Sequence, residues 1–459
     1  MTADKVLSCF KTYDVRGRLG EEMNQDIAYR IGRAVAQSVA AKTVVVGFDA
    51  RATSPSFAQA VAKGVCESSS DVIEIGLSGT EEIYSAVSEF KANAGIEITA
   101  SHNPIDYNGL KIVKHGAQPL SEYEFAKIRQ LAQENNFSTS QSNGSVINKQ
   151  RAARESYLKK ILGFVAIENL KPLKIVINSG NGAAGPVIDA IKSGLEARGV
   201  ETNFVFVNHN PDPSFPNGIP NPLLEKNRSS TSDSVTEEKA DFGVAFDGDF
   251  DRCFLFDHLG NFISGEYIVG LLAEVFLKKN KRSTIIHDPR VIWNTLDIVS
   301  KFHGFAVASK TGHAFVKKAM REKDAIYGGE MSAHHYFKDF HFCDSGMIPW
   351  LMVWQLLSQK NRTLADLILE RKNQFLSSGE LNFIVDDALK CLQKVKKTYA
   401  KYAIVIDELD GLSLSFGSWR FNLRKSNTEP LVRLNVETRG DGLLMRKKTK
   451  ELTDLILKP

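Results

Sequence analysis

Short apolar segments alternate with segments of helical periodicity along most of the chain. The apolar run at residues 43–51 precedes Ser54 and Pro55, which predict a helix N-cap and first turn, and apolar residues at helical spacing follow them. Two further apolar runs begin at Val72 and Gly95. This order of strand, helix, strand and strand is typical of an α/β unit.

The same order of elements recurs twice more. A second round begins with residues 174–185 and ends with the segment from Asp241, and a third begins with residues 283–290 and ends with the segment from Ala325. In each round the last strand leads into a polar loop. Because ligands bind at the carboxyl ends of strands in open α/β sheets, we predict that the three loops face one shared cleft.

The rest of the sequence predicts how the chain divides into domains. Residues 135–150 are polar and lack periodicity, which is typical of a linker. From about Leu381, alternating polar and apolar residues predict antiparallel strands in an α+β domain. We therefore predict three similar α/β domains with mixed, largely parallel sheets, followed by the α+β domain. Their predicted bounds are residues 1–145, 146–255, 256–370 and 371–459.

Composition predicts a cytoplasmic protein that binds neither nucleic acid nor a membrane. With 459 residues, of which 43% are hydrophobic and 24% charged, the chain can form several cores. Its net charge of +4 includes no basic block of the kind that binds nucleic acid. Its five cysteines are far apart and form no CxxC pair, which argues against disulfides and structural zinc. Neither a membrane-spanning run nor a signal-peptide pattern is present in the sequence.

The loop after the last strand of the second round carries three alternating carboxylates, Asp247, Asp249 and Asp251, and then Arg252. Three negative charges directly after a buried strand repel one another unless a cation neutralises them. A calcium loop of the EF-hand type is excluded, since its sixth position is Arg252 and its twelfth is His258. Few protein ligands leave room for a phosphate, which favours Mg²⁺ over Ca²⁺.

Ser101 lies in the loop after the last strand of the first round, beside His102. A serine in such a place is, by itself, more typical of a helix cap or a turn, and no GxSxG elbow surrounds it. The loop is nevertheless rich in groups that donate to phosphate oxygens, and Lys111 follows soon after. Together with the acidic loop, these residues favour a role for Ser101 in phosphoryl chemistry.

A turn in the fourth domain contains two cations, two hydroxyls and an amide, and an arginine follows on the next predicted strand. These residues are Arg424, Lys425, Ser426, Asn427, Thr428 and Arg433. A phosphate needs such a set of hydroxyls, backbone N–H groups and a forked guanidinium, although a surface hairpin turn is the alternative.

The loop after the last strand of the third round contains Glu330, Ser332, His334 and His335. A carboxylate that accepts hydrogen bonds from two neighbouring hydroxyls suits a sugar diol, which favours sugar contact. The paired histidines allow a transition-metal site as the alternative. At least one of the two histidines is expected to be structural.

These loops resemble, in this order, the motifs of the α-D-phosphohexomutase family, and most of all its bacterial phosphomannomutase members. The similar segments are YDVRG, TASHNP, YNGLK, DGDFDR, KTGH, GEMSAHH and RKSNTEP. The resemblance implies a heart-shaped molecule of four domains around a central cleft, with a TATA-binding-protein-like fourth domain. It implies an isomerase that interconverts mannose 1-phosphate and mannose 6-phosphate through a phosphoserine and a hexose 1,6-bisphosphate. A role in GDP-mannose biosynthesis is implied with it.

The resemblance also assigns roles to individual residues. Ser101 carries the phosphoryl group and joins Asp247, Asp249 and Asp251 around Mg²⁺. Further catalytic residues are His102, Lys111, Arg252, Arg16 and His313. The residues assigned to the substrate are Tyr13, Arg290, Glu330, Ser332, His334, Arg424, Ser426, Asn427, Thr428 and Arg433. The choice of general base among Lys111, His102 and His313 stays open.

Other functions compete with this interpretation. A haloacid-dehalogenase-like phosphatase would use Asp247 as its nucleophile, but the DxDx[TV] ending is missing. A non-catalytic sugar-phosphate sensor and an enzyme that acts mainly as a phosphoglucomutase are further alternatives. We expect sugar phosphates as partners, a hexose 1,6-bisphosphate as activator, action on glucose phosphates as well, and a monomer or weak dimer.

Overall fold

The computed structural model describes residues 6–138, 142–426 and 431–458. The chain forms two compact units. Unit 1 contains Met1–Phe262 and His334–Asn361, and unit 2 contains Ile263–Ala333 and Arg362–Pro459. Each unit is described by itself.

The first segment of unit 1 forms a mixed sheet. Its strands are β1 (Val15–Arg18), β2 (Thr43–Phe48), β3 (Asp71–Leu77), β4 (Ala94–Ile98), β5 (Tyr107–Lys114), β6 (Gln118–Pro119) and β7 (Val146–Asn148). Its helices are α1 (Gln25–Ser38), α2 (Ser54–Cys66), α3 (Thr80–Glu89), α4 (Glu122–Glu134) and α5 (Gln150–Leu162). The strand order is β1-β5-β4-β2-β3-β7, and β6 pairs with β5. The strands β3 and β4 flank β2 in parallel, whereas β5 is antiparallel to β4.

The second segment of unit 1 forms a sheet of its own. It contains β8 (Lys174–Asn178), α6 (Ala184–Glu196), β9 (Asn203–Val207), α7 (Ser229–Glu237), β10 (Phe242–Phe246), β11 (Cys253–Asp257) and β12 (Phe262–Ile263). The strand order is β12-β11-β10-β8-β9. The strand β10 is parallel to β8 and antiparallel to β11, and every residue of β10 is buried. Its carboxyl end therefore projects the acidic loop from a rigid, apolar base.

The third segment contributes to both units. In unit 2 it forms α8 (Gly265–Lys279), β13 (Thr284–His287), α9 (Trp293–Lys301), β14 (Phe305–Ala308), α10 (His313–Glu322) and β15 (Tyr327–Gly329). In unit 1 it forms β16 (His335–Phe337), β17 (Cys343–Asp344) and α11 (Met347–Lys360). The strands β14 and β15 are parallel to β13, and β16 is antiparallel to β17.

The fourth segment completes unit 2 with an antiparallel sheet. It contains α12 (Leu364–Gln374), β18 (Leu376–Ser377), β19 (Leu381–Ile384), α13 (Ala388–Tyr399), β20 (Val405–Asp407), β21 (Leu412–Ser415), β22 (Trp419–Lys425), β23 (Leu431–Thr438) and α14 (Gly442–Leu457). The strand order is β18-β23-β22-β21-β20, and β19 also pairs with β23. Phe421, Leu434 and Val436 are fully buried in the core of this sheet.

The fold confirms the predicted alternation of strands and helices and the antiparallel last segment, with two local corrections. The segment 135–150 is not only a linker, because β7 lies in it and pairs in parallel with β3. Ser54 is not the N-cap of α2, since Thr53 precedes the helix and the Ser54 hydroxyl donates to Asp49 Oδ1 at 2.6 Å. Among the described residues, none of the helices has the length and apolar character needed to cross a membrane.

Candidate active site

In unit 1, the acidic loop after β10 lies directly against the serine loop after β4. A Cβ atom on Gly248 would lie 2.5 Å from the carbonyl oxygen of Ser101, so only glycine permits this approach. Ser101 itself has a φ of +51°, an unusual value for a serine. Such backbone strain is typical of a residue that the surrounding structure holds for a purpose.

The Ser101 hydroxyl lies between a carboxylate and an imidazole. It donates to Asp247 Oδ2 at 2.9 Å, and His102 Nδ1 is also 2.9 Å from Ser101 Oγ. Desolvation and the charge of Arg252 lower the pKa of His102 below its usual range, although 39% of the side chain is exposed. The ring is therefore neutral at neutral pH and can accept a proton.

Two buried cations hold the acidic loop. The Arg252 guanidinium donates to Asp247 Oδ2 through Nε at 2.8 Å and Nη2 at 2.6 Å. The Lys111 ammonium on β5 donates to Asp249 Oδ2 at 2.6 Å and also contacts Asp251 Oδ2. Burial disfavours the charged form of Lys111, but the two aspartates outweigh it and raise its pKa. Lys111 is therefore a cation in the metal-free site.

The three aspartates fit a divalent cation. Their carboxylate oxygens lie within 4.8 Å of one another, and the buried Oδ1 atoms of Asp249 and Asp251 accept no hydrogen bond from the described residues. Burial and the charge of Asp249 raise the pKa of Asp251 well above its usual range. Lys111 and Arg252 supply two positive charges against the three carboxylates, so a further cation would be favourable, and oxygen ligands suit a hard metal ion.

Arg51, which the sequence reasoning missed, binds the backbone of the serine loop. Its guanidinium donates to the carbonyl oxygens of Ser101 at 3.0 Å, Pro104 at 2.9 Å and Tyr107 at 3.0 Å, and also to that of Asn103. The side chain is only 2% exposed. Arg51 follows the buried strand β2, so the signal used for the other loops, a polar group at a strand's carboxyl end, also applied here.

We expect Arg51→Lys to lower kcat by about 10- to 100-fold with little change in KM, because lysine keeps the charge beside Asp49 but cannot reach all four carbonyls. The rate at which a labelled bisphosphate phosphorylates Ser101 should fall with kcat. The exposed ion-pair residue Arg151 provides the control variant, Arg151→Lys. Normal phosphorylation of Ser101 in folded Arg51→Lys protein would contradict a positioning role.

Unit 2 brings three predicted arginines together around a glutamate. Glu380 lies 3.2 Å from Arg290 Nη1, 3.2 Å from Arg424 Nη2 and 3.4 Å from Arg433 Nη1. The sequence reasoning missed Glu380, which precedes β19. Ser426 is half-buried just beyond β22, whereas the predicted residues Asn427 and Thr428 lie outside the described residues.

The predicted sugar loop also lies in unit 2 up to Ala333. Glu330 is 1% exposed, and its Oε1 accepts from the Gly312 N–H at 2.9 Å, directly before His313 at the start of α10. Ser332 is half-buried in the same loop. The N-terminus of a helix stabilises the negative charge of a carboxylate in this position.

The remaining predicted residues of unit 1 lie around the serine loop and the aspartates. Arg16 Nη1 donates to Asn103 Oδ1 at 3.1 Å, and Tyr13, three residues earlier, is half-buried. His334 Nε2 lies 3.7 Å from Asp251 Oδ1. His335 is fully buried, and burial lowers its pKa to about 3, so it is the structural histidine of the pair.

Comparisons with known proteins identify the family to which the chain is similar. Models of the phosphoglucomutase/phosphomannomutase alpha/beta/alpha domains I, II and III match residues 8–139, 155–260 and 264–375, and that of the C-terminal domain matches residues 380–453. The phosphomannomutase of Escherichia coli K12 is 52% identical over 98% of this chain and 99% of its own, and that of Vibrio cholerae is 51% identical over 99% of each.

Solved structures share the fold. A phosphoglucomutase/phosphomannomutase family protein from Burkholderia thailandensis is 29% identical, with a TM-score of 0.87 over 98% of both chains. The N-acetylphosphoglucosamine mutase of Aspergillus fumigatus, solved with GlcNAc-6P and magnesium, is 14% identical with a TM-score of 0.63 over 98% of this chain and 95% of its own.

Proposed function

Because the chain belongs to the phosphoglucomutase/phosphomannomutase family, we propose that it interconverts mannose 1-phosphate and mannose 6-phosphate. It is an isomerase of the mutase type, as are the bacterial relatives that match it at about 50% identity over almost its full length. The observation that carries the proposal is Ser101 Oγ, held 2.9 Å from Asp247 in a buried cluster with two cations.

Ser101 acts as the phosphoryl carrier in this proposal. The bond between phosphorus and Ser101 Oγ breaks, the 6-hydroxyl of mannose 1-phosphate gains the phosphoryl group, and Ser101 regains a hydroxyl proton. The product is a hexose 1,6-bisphosphate, which then returns its 1-phosphoryl group to Ser101. A trace of this bisphosphate would also serve as activator, since it phosphorylates any enzyme that has lost its phosphoryl group.

Charge controls this transfer. A phosphorylated Ser101 would add about −1.5 to −2 to the three aspartates, which favours release of the phosphoryl group. Mg²⁺ held by Asp247, Asp249, Asp251 and an oxygen of phosphorylated Ser101 would neutralise charge on that group. Arg252 fixes the orientation of Asp247, and the neutral His102 ring is placed to accept the proton of the attacking hydroxyl.

Unit 2 supplies the groups that we assign to the rest of the substrate. Arg290, Arg424 and Arg433 bind the phosphate that is not transferred, and Glu330 and Ser332 contact O3 and O4 of the sugar. The O3/O4 pair looks similar in both orientations of the bisphosphate and lies away from C2, where mannose and glucose differ. Both sugars should therefore be substrates.

A coupled assay tests the proposal. With Mg²⁺ and a trace of hexose 1,6-bisphosphate, we expect turnover of mannose 1-phosphate and of glucose 1-phosphate with comparable kcat/KM. A loss of about 10³-fold on glucose would contradict dual specificity, since discrimination of that size requires a site that recognises C2. Absence of turnover on both sugars would contradict the proposed function.

The cysteines support a cytoplasmic location for this activity. All five lie in the described part of the chain, and all are thiols, with Cys9, Cys253, Cys343 and Cys391 buried. Buried thiols without disulfides are typical of proteins in a reducing compartment.

A further inference from the structure

The arginine cluster of unit 2 brings three positive charges close together. Arg424 and Arg433 are directly opposite each other on the antiparallel strands β22 and β23. Like charges in such a pair destabilise a sheet, and Arg290 adds a third guanidinium. The cluster therefore needs an anion even when it binds no substrate.

Glu380 is that anion. Asn382 on β19 is the register partner of Arg433, and Glu380 lies directly before this strand. Oε2 of Glu380 contacts Arg290 and Arg424, and Oε1 contacts Arg433. Burial would raise the pKa of Glu380, but the three arginines outweigh it and lower that pKa below its usual range. Glu380 is consequently ionised at neutral pH.

The geometry distinguishes Glu380 from a permanent partner. Asp288 is 2% exposed and contacts Arg290 Nη2 at 2.8 Å, the length of a strong charge-assisted hydrogen bond. The contacts of Glu380 are longer, 3.2 to 3.4 Å, and 22% of its side chain is exposed. The buried Nε–H groups of Arg290 and Arg424 also have no acceptor among the described residues. Asp288 thus fixes Arg290 with a short contact, whereas the contacts of Glu380 are long. The N–H groups of Arg290 and Arg424 that have no acceptor can bind a further anion.

We propose that Glu380 is an internal counter-anion, which occupies the arginine cluster of the free enzyme and is displaced by the phosphate of a phosphate monoester. A cluster that is occupied part of the time binds its ligand with correspondingly lower apparent affinity. In a mutase this loss is useful, because the bisphosphate must release its bound phosphate and reorient in every cycle. That last step rests on the proposed function; the competition for the arginines does not.

The first test measures binding of inorganic phosphate to the whole protein by calorimetry at constant ionic strength. We expect Glu380→Gln to bind phosphate about tenfold more tightly than the wild type, because the competing charge is removed while the side-chain shape is kept. Glu380→Asp, whose carboxylate is too short to contact all three arginines, should show a smaller gain. Glu408→Gln, which removes an exposed carboxylate of the same domain, should show no gain.

A double variant assigns the gain to this cluster. In Glu380→Gln/Arg424→Gln the tighter phosphate binding should disappear, whereas a gain that persists would come from another site and overturn the proposal. Unchanged or weaker phosphate binding by both single Glu380 variants would overturn it as well.

Kinetics test the consequence for turnover. In Glu380→Gln we expect KM for mannose 1-phosphate to fall about tenfold and kcat to fall with it, because release of the bisphosphate becomes slower. If phosphate binds more tightly but the wild type shows no mutase activity, the counter-anion stands and the proposed function fails. If KM rises in Glu380→Gln while phosphate binding does not improve, Glu380 orders the arginines instead of competing for them, which overturns the proposal.

Discussion

Replacing Ser101 with alanine is expected to lower mutase activity by about 10⁴-fold or more, as removal of a covalent nucleophile does in other enzymes. The variant lacks Oγ, the atom of the enzyme that carries the phosphoryl group in the proposed mechanism, which lies 2.9 Å from both Asp247 Oδ2 and His102 Nδ1. The measurement is the coupled assay on mannose 1-phosphate with Mg²⁺ and a trace of hexose 1,6-bisphosphate. Ser193→Ala, on the exposed side of α6, is the matched control.

Labelling identifies the carrier independently of turnover. After incubation with a radiolabelled bisphosphate, wild-type protein should retain acid-stable label, and Ser101→Ala should retain none. A label that hydroxylamine removes would indicate an acyl phosphate on Asp247 and favour the phosphatase alternative. Equal activity of the wild type and Ser101→Ala would reject Ser101 as the carrier.

Asp249→Asn should produce the second largest effect. We expect kcat/KM to fall by about 10²- to 10³-fold, because the site loses one of its three acidic oxygen ligands and charge stabilisation by a metal ion is worth several kcal/mol. The Mg²⁺ concentration for half-maximal activity should rise at least about tenfold. Chelation of the metal should abolish the activity of the wild type. The measurement is a Mg²⁺ titration of initial rates.

The thermal midpoint of Asp249→Asn shows whether its lower activity comes from loss of a metal ligand or from unfolding. The substitution keeps the size of the side chain and removes one of three mutually repelling buried charges, and Lys111 keeps its contact with Asp251, so the thermal midpoint should not fall greatly. Asp233→Asn on the exposed face of α7 is the control for the charge change. A Mg²⁺ titration identical to that of the wild type would show that Asp249 does not hold the metal.

The candidate site was predictable where it depends on local pattern. A buried run followed by a polar loop identified the ends of β4, β10 and β15, and in the structure each of these strands does end at that loop. Alternating carboxylates in the loop after β10 indicated a metal, and the orphaned Oδ1 atoms of Asp249 and Asp251 support it. Such inferences are possible from sequence because burial on both faces of a strand, and charge directly after it, depend on consecutive residues.

The missed residues depend on strand order instead. Arg51 contacts carbonyl oxygens of residues about fifty positions later because β2 and β4 are neighbours in the sheet. Thr80 donates to Asp249 Oδ2 at 2.6 Å from a different domain segment. Local pattern also misassigned Ser54 as a helix N-cap, because its hydroxyl donates to Asp49 instead of capping α2.

The sequence by itself determined the α/β alternation, the antiparallel last segment and the chemistry of the loops, since each follows from side chains that are close along the chain. Only the tertiary structure decided that Lys111 on β5 would neutralise Asp249 and Asp251, and that Glu380 would share its charge among three arginines. The interaction energy of a charged side chain depends on its distance from other charges and on its exposure to water. Both are fixed only when distant segments of the chain pack together.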